Sequence, residues 1–326
     1  MARPPAPLAV ERRHCRGLVE GITLHWVEFA PVVAKGRAQT PVVLLHGLND
    51  CHLTWSQIAP ELARDRQVFV LDLPGHGHSD RPDASYELAW YAQIVAGWIE
   101  TLGLEPDGRV DVVGHSLGGG IALMLLEVCR PRIRRVVLAA AGGLGTEIFF
   151  LLRLATLPGV VEHFGQPFMG LGTRLALRRW RTKLPPGHVA ELSAINSRPG
   201  TARAFARTVR GLMNWTGQRH SFYRRAHEIT DYPPIAVLWG DQDSVLPIAH
   251  GRALAQGMEG VTLTELAGCG HYLHHDDPLA FLNGVREALD APSWPSVRVA
   301  PGASAAWRGK PEPARSSSVA RLATVH

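Results

Sequence analysis

A serine flanked at two positions on either side by glycine, Gly114-His115-Ser116-Leu117-Gly118, lies between an apolar run at 110–113 and a helical run at 117–129. A strand that turns abruptly into a helix at this point lifts the Ser116 hydroxyl above the sheet. The glycines stand where neighbouring backbones leave no room for a Cβ. A serine hydroxyl is a weak nucleophile until a base takes its proton, so the motif calls for a histidine and a carboxylate elsewhere in the chain. The competing reading is a tight turn whose serine only caps the helix that follows.

The histidine is expected at His271, in Gly268-Cys269-Gly270-His271, on a loop between a strand at 261–266 and a helix starting near Pro278. From such a loop one ring nitrogen can reach the serine and the other the carboxylate. His274 and His275 are rivals by residue type, but they approach a helix and read as solvated or capping. The carboxylate belongs in Trp239-Gly240-Asp241-Gln242-Asp243, after the strand at 235–238. Asp241 suits turn stabilisation through backbone hydrogen bonds, which favours Asp243 as the acid. His46-Gly47, after the strand Val42–Leu45, opens a loop beside the serine. The backbone N–H of Leu48 and that of Leu117, the residue after the nucleophile, are the expected oxyanion donors. His46 is read as a support of that loop through hydrogen bonding.

These loops need a scaffold that brings them to one edge. Short apolar runs at 42–45, 68–71, 110–113, 136–139, 235–238 and 261–266 alternate with helical patterns near 53–64, 86–102, 117–129, 248–256 and 278–289. That alternation predicts an α/β fold with a mostly parallel central sheet and flanking helices. Ile22–Phe29 alternates apolar and polar residues as an antiparallel strand would. From 145 to 230 the alternation gives way to helical patterns at 149–157, 168–183, 189–196 and 201–214, which predicts an inserted helical cap. The expected division is a core at 1–144 and 231–291, a cap at 145–230, and a Pro-, Ser-, Ala- and Arg-rich tail at 292–326 expected to be disordered.

Composition narrows the classes. With 326 residues and 46% hydrophobic content the chain can build a sizeable core. No stretch has the roughly 18 uninterrupted apolar residues of a membrane span, and the Pro-rich start lacks a signal-peptide core, so a soluble, cytoplasmic protein is expected. Cys15, Cys51, Cys129 and Cys269 show no paired spacing and read as free, mostly buried thiols rather than a zinc site or disulfide framework. The net charge of +5 is not gathered into a basic run with interleaved aromatics, so no nucleic-acid partner is expected. The cap carries thirteen Lys/Arg against four Asp/Glu. That excess admits an anionic substrate or a carrier-protein partner, but a solvated arginine-rich face accounts for it more simply. The apolar segment at 148–152, with Leu154, Leu157, Val160 and Val161, could line an acyl pocket or merely bind the cap to the core.

The chain resembles the α/β-hydrolase fold superfamily, in its serine-nucleophile, carboxylesterase-like branch. The residues that carry the resemblance are His46-Gly47, Asp72-Leu73-Pro74-Gly75-His76-Gly77-His78-Ser79, Gly114-His115-Ser116-Leu117-Gly118-Gly119, Gly240-Asp241-Gln242-Asp243 and Gly270-His271, spanning about residues 20 to 290. The resemblance implies the order Ser116, Asp243, His271 for the triad and places the acid at Asp243, the last residue of its W-G-x-x-D spacing. It implies a structural role for 72–79. Serine at 116 sets the chain apart from haloalkane dehalogenases and epoxide hydrolases, which the resemblance would require to carry aspartate there. What it implies is a cofactor- and metal-free hydrolase of a small or medium hydrophobic carboxylic ester. Carbon–carbon hydrolysis of a vinylogous diketone, or a non-catalytic ligand-binding role, are the alternatives.

Overall fold

The computed structural model describes residues 10–31, 39–104, 107–157, 159–179, 183–184, 187–301 and 303. Its centre is an eight-stranded sheet. The strands are β1 (Arg12–Val19), β2 (Ile22–Phe29), β3 (Val42–Leu45), β4 (Val68–Asp72), β5 (Val110–His115), β6 (Ile133–Ala139), β7 (Ile235–Gly240) and β8 (Thr262–Leu266). They lie in the order β1-β2-β4-β3-β5-β6-β7-β8. β2 runs antiparallel to β1 and β4, and all other pairings are parallel.

The burial of each strand follows its place. Every residue of β3, β4 and β5 is buried, because helices cover both faces of the parallel centre, and their sequences are correspondingly near-continuous apolar runs. β1 and β8 are edges with mostly exposed residues. The polar strand β1, Arg-Arg-His-Cys-Arg-Gly-Leu-Val, has no apolar alternation to announce it; it forms because β2 offers its free edge over eight residue pairs.

Helices of eight residues or more are α1 (Leu88–Thr101), α2 (Leu117–Val128), α3 (Met169–Arg179), α4 (His188–Asn196), α5 (Thr201–Leu212), α6 (Ala249–Gly257) and α7 (Pro278–Asp290). The single helix expected at 53–64 is instead a 3₁₀ turn, His52–Trp55, and a short helix, Ala59–Leu62, with Pro60 in its first turn. Proline fits the first turn of a helix and not its interior, so the chain restarts there. The carboxyl end of α7 is gripped by arginines of β6: Arg134 bonds Asp111 and the Leu289 carbonyl (3.0 Å), and Arg135 bonds the Ala288 carbonyl (2.8 Å). Cations at this end meet the unpaired carbonyls of the last turn.

The expected disorder from 292 onward is corrected in its first part. Residues 292–301 dock on the core. Trp294 donates its indole N–H to the Gly260 carbonyl at 3.0 Å and lies beneath the Arg135 guanidinium. Arg298–Val299 pairs with Met258–Glu259. Residues 304–326 lie outside the described residues.

Between β6 and β7 the chain is mostly helical, with a small hairpin of Met213–Asn214 and Gly217–Gln218, and α3, α4 and α5 contribute residues to the cavity beside Ser116; we call this segment the cap. Several cap arginines are bound rather than solvated. Arg198 donates to the Gly77 carbonyl (3.0 Å), Arg203 to the Arg81 carbonyl (2.9 Å), and Arg207 to Asp83 and to Glu162 of the cap itself. They clasp the loop after β4.

Candidate active site

Five loops at the carboxyl edge converge, as open α/β sheets arrange their sites. β5 ends at His115, and Ser116 follows with φ 53° and ψ −112°, a conformation a non-glycine residue adopts only when its surroundings impose it. The surroundings are the two glycines. A Cβ on Gly114 would overlap the Gly118 carbonyl, and one on Gly118 would overlap the Leu45 carbonyl of β3. The Ser116 side chain caps nothing in α2, which removes the capping reading. It points to His271.

His271 Nε2 lies 3.0 Å from Ser116 Oγ, and His271 Nδ1 lies 2.8 Å from Asp243 Oδ2. A carboxylate only accepts, so Nδ1 carries the proton and donates it to Asp243, which leaves Nε2 to accept from the serine hydroxyl. The other Asp243 oxygen accepts the backbone N–H groups of Val245 (2.8 Å) and Leu246 (2.9 Å). These two bonds, absent from any motif, fix the carboxylate plane. The Asp243 side chain has no solvent exposure and that of His271 has 5%. A buried carboxylate held by three donors is a strong orienter.

Asp241, the rival acid, points away and accepts the Gly268 N–H at 2.7 Å, tying its loop to the histidine loop. His274 and His275 are not solvated, contrary to expectation. They are 0% and 2% exposed, within the short helix Leu273–Asp276, and both rings meet Thr54 Oγ1, at 2.8 and 3.1 Å. Burial holds His274 well below the usual imidazole range, with His275 and His115 adding to the effect. His115 donates Nε2–H to the His271 carbonyl at 2.9 Å and so fastens the serine turn to the histidine loop.

Beside Ser116, the Gly118 N–H donates to the His46 carbonyl at 3.1 Å, which staples the 46–49 loop to the start of α2. His46 Nδ1–H donates to the Gly47 carbonyl at 2.8 Å, and Nε2 accepts the Leu73 N–H at 3.0 Å. Burial lowers its pKa to about 4, so the ring is a neutral brace with neither nitrogen free for proton transfer. Leu117 opens α2, and the first N–H groups of a helix have no intrahelical acceptor. Leu48 and Leu117 both border the cavity beside Ser116.

That cavity, of roughly 360 Å³, is walled by core and cap together. Ile148, Leu152 and Val161 of the apolar segment line it, Phe149 packs on the core, and Phe150, Leu157 and Val160 face outward. The side chains of Leu151 and Leu154 lie outside the described residues. Among the described lining residues none is Asp, Glu, Lys or Arg; the polar ones include Asn49, Thr173 and Gln218. Sequence reasoning missed Thr173 and Tyr272 as wall residues, because neither a helical pattern nor a position next to His271 marks which side chains face a cavity.

One further cluster has metal-ligand chemistry. His25, His52 and Asp72 place ligand atoms within 4.8 Å of one another. Asp72 is already saturated: it accepts from His25 Nδ1 (2.7 Å), from the N–H (2.6 Å) and Nδ1 (3.0 Å) of His52, and from the His78 N–H (2.9 Å). The loop 72–79 is thus shaped by a buried carboxylate. Three of the four cysteines are buried and all are free.

Residues 40–278 match the family model described as the alpha/beta hydrolase fold, and the chain belongs to that family. An uncharacterised protein of Mycobacterium tuberculosis is 32% identical over 260 residues, covering 76% of this chain and 75% of its own. A 2-hydroxy-6-oxo-2,4-heptadienoate hydrolase of Pseudomonas putida is 27% identical over 267 residues, covering 78% of this chain and 90% of its own. Among solved structures, the enol-lactonase from Burkholderia xenovorans is similar in fold. Its TM-score is 0.69 at 22% identity, over 85% of this chain and 100% of that one.

Proposed function

We propose that the protein is a serine hydrolase that cleaves carboxylic esters of small or medium hydrophobic substrates, with Ser116 as nucleophile, His271 as base and Asp243 as the orienting acid. The observation that carries this reading is the unbroken relay from Asp243 through His271 to Ser116 at 2.8 and 3.0 Å, opening into an apolar cavity. His271 takes the hydroxyl proton as Ser116 attacks the carbonyl carbon. The Leu48 and Leu117 N–H groups receive the oxyanion, an arrangement whose individual donors are typically worth about 100- to 1,000-fold in turnover. The tetrahedral intermediate collapses as His271 protonates the departing alcohol, leaving an acyl group on Ser116. Water, deprotonated by the same ring, then releases the acid and restores the serine.

The domain division fits the same reading: a core at 1–144 and 231–291 supplies the triad, and a cap at 145–230 supplies the selective wall. The chemistry needs no cofactor.

Carbon–carbon hydrolysis is the second reading, favoured by the similarity to the heptadienoate hydrolase. Its name designates a carboxylate substrate, and a carboxylate buried in an apolar cavity needs a cation or several donors. The lack of Lys and Arg among the described wall residues supports neutral acyl groups instead. The test is a panel of p-nitrophenyl esters of increasing acyl length, assayed with the parent and with Ser116→Ala. Turnover by the parent that vanishes in the variant is the expected result. A folded parent inert on every ester, yet active on a vinylogous diketone acid, would overturn the ester reading.

A further inference from the structure

The cap exposes apolar side chains in one stretch of chain. Val160 and Phe164 protrude from the short helix Val160–Phe164, Phe168 ends the 3₁₀ turn that leads into α3, and Leu171 and Leu175 follow at helical spacing on the outer side of α3. Phe164 and Phe168 are 74% and 64% exposed, in a molecule that buries most of its aromatic rings. Nearby, Phe150 and Trp215 stack edge to face with centroids 5.8 Å apart, and both are more than half exposed. Scattered exposed leucines need no explanation, but a contiguous apolar face on a monomer does.

Two observations indicate what covers this face. The first is its relation to the cavity: Phe168 is both exposed and part of the cavity wall, and Val161, Gly165, Gly172 and Ala176 of the same stretch line it too. Gly172 lines the cavity and is itself exposed, so the wall adjoins solvent there. The apolar face therefore borders the mouth. The second is charge. α3 carries Arg174, Arg178 and Arg179 and no acidic residue, and all three arginines are exposed. None of the three is ion-paired among the described residues. The one carboxylate of the stretch, Glu162, is neutralised by Arg207 and Arg210. Arg174 donates to Ser193 Oγ at 3.0 Å and Arg179 lies over the Phe149 ring, while among the described residues no hydrogen bond or ion pair holds Arg178. An apolar stripe edged with arginines that lack a carboxylate partner is the pattern of an element lying in a lipid–water boundary.

We propose that this face of the cap docks on an anionic phospholipid surface, seating the mouth of the cavity at the boundary. The apolar side chains enter the acyl region and Arg178 meets phosphate headgroups, with Arg174 and Arg179 adding positive charge beside it. No described helix is long and apolar enough to cross a membrane, so the attachment is peripheral and reversible. A neutral apolar cavity opening into the bilayer would draw acyl substrates from the lipid phase. Docking itself does not depend on the hydrolytic reading, since it is measured without turnover.

The test is co-sedimentation of the full-length protein with vesicles of phosphatidylcholine alone and of phosphatidylcholine mixed with phosphatidylglycerol, at low and high salt. Binding is expected to the mixed vesicles, to weaken with salt, and to fall about tenfold in Arg178→Glu. The paired variant Leu171→Glu with Leu175→Glu, at exposed sites outside the cavity wall, is expected to lose about tenfold or more. Both variants should keep the parent's melting temperature and its rate on a short water-soluble ester. Equal pelleting with both lipids, or pelleting indifferent to these substitutions, overturns the proposal. So does a concentration-dependent dimer dissolved by the glutamate pair, which would assign the face to a second copy of the chain.

Discussion

Replacing Asp243 by asparagine separates orientation from packing at a single atom. One carboxylate oxygen accepts the Val245 and Leu246 N–H groups at 2.8 and 2.9 Å, and the other accepts His271 Nδ1–H at 2.8 Å. An amide keeps the first pair only by turning its oxygen toward them, which points its NH₂ at Nδ1. Two donors cannot face each other, so Nδ1 loses its proton and Nε2 gains it. Nε2–H then faces Ser116 Oγ and no base remains. When the orienting acid of a Ser-His-Asp site is amidated with its geometry intact, the loss is about 10,000-fold in kcat, or about 5.4 kcal/mol of transition-state stabilisation. Asp243→Asn should show this loss on p-nitrophenyl esters while its melting temperature stays close to the parent's. Asp243→Ala should lose activity and also stability, because two buried N–H groups are left unpaired at about 1–3 kcal/mol each. An Asp243→Asn enzyme within tenfold of the parent would refute the orienting role, and with it the tautomer argument.

Two further expectations concern the frame of the site. Gly118→Ala should be destabilised by about 3 kcal/mol or more, read as a lower denaturant midpoint, because its Cβ meets backbone that cannot yield; a midpoint equal to the parent's would show that the serine turn is looser than described. Burial raises the Asp50 pKa from 3.8 to about 7, so the folded state prefers the protonated acid. Its stabilising contribution is complete below the unfolded pKa and is lost as pH rises through about 7. The shift is worth about 4 kcal/mol at 1.36 kcal/mol per unit. Asp50→Asn, which cannot ionise, should therefore gain on the parent between pH 4 and pH 8 in denaturant titrations, and a constant difference across that range would contradict the assignment.

The central strands were legible because burial on both faces demands continuous apolar runs, and the tight turn at Ser116 because its flanking glycines answer to real overlaps. His271 and Asp243 were reachable from their places after β8 and β7. Other features obey partners that a linear reading does not display. β1 is polar and follows the edge of β2. His274 and His275 look like a solvated pair by composition, yet their rings pack under the histidine loop against Thr54. Trp294 sits in a Pro- and Ser-rich stretch whose composition suggests disorder, while one indole hydrogen bond and one arginine fasten it down. The bonds from Val245 and Leu246 to Asp243 are made by main-chain atoms, which no residue type reveals.

The clasp between cap arginines and the loop after β4 bears on how such a protein can change over generations. Its acceptors on that loop are largely backbone carbonyls, of Gly77 and Arg81. A carbonyl is supplied whatever side chain the loop carries, so the joint tolerates drift on the core side as long as the arginines and the course of the loop persist. Selection can then rework the cavity wall of α3 while the reacting groups stay as they are. Under the proposed function, a chain that takes residues 145–230 from a relative keeping the arginines is expected to retain ester turnover while its preferred acyl length changes.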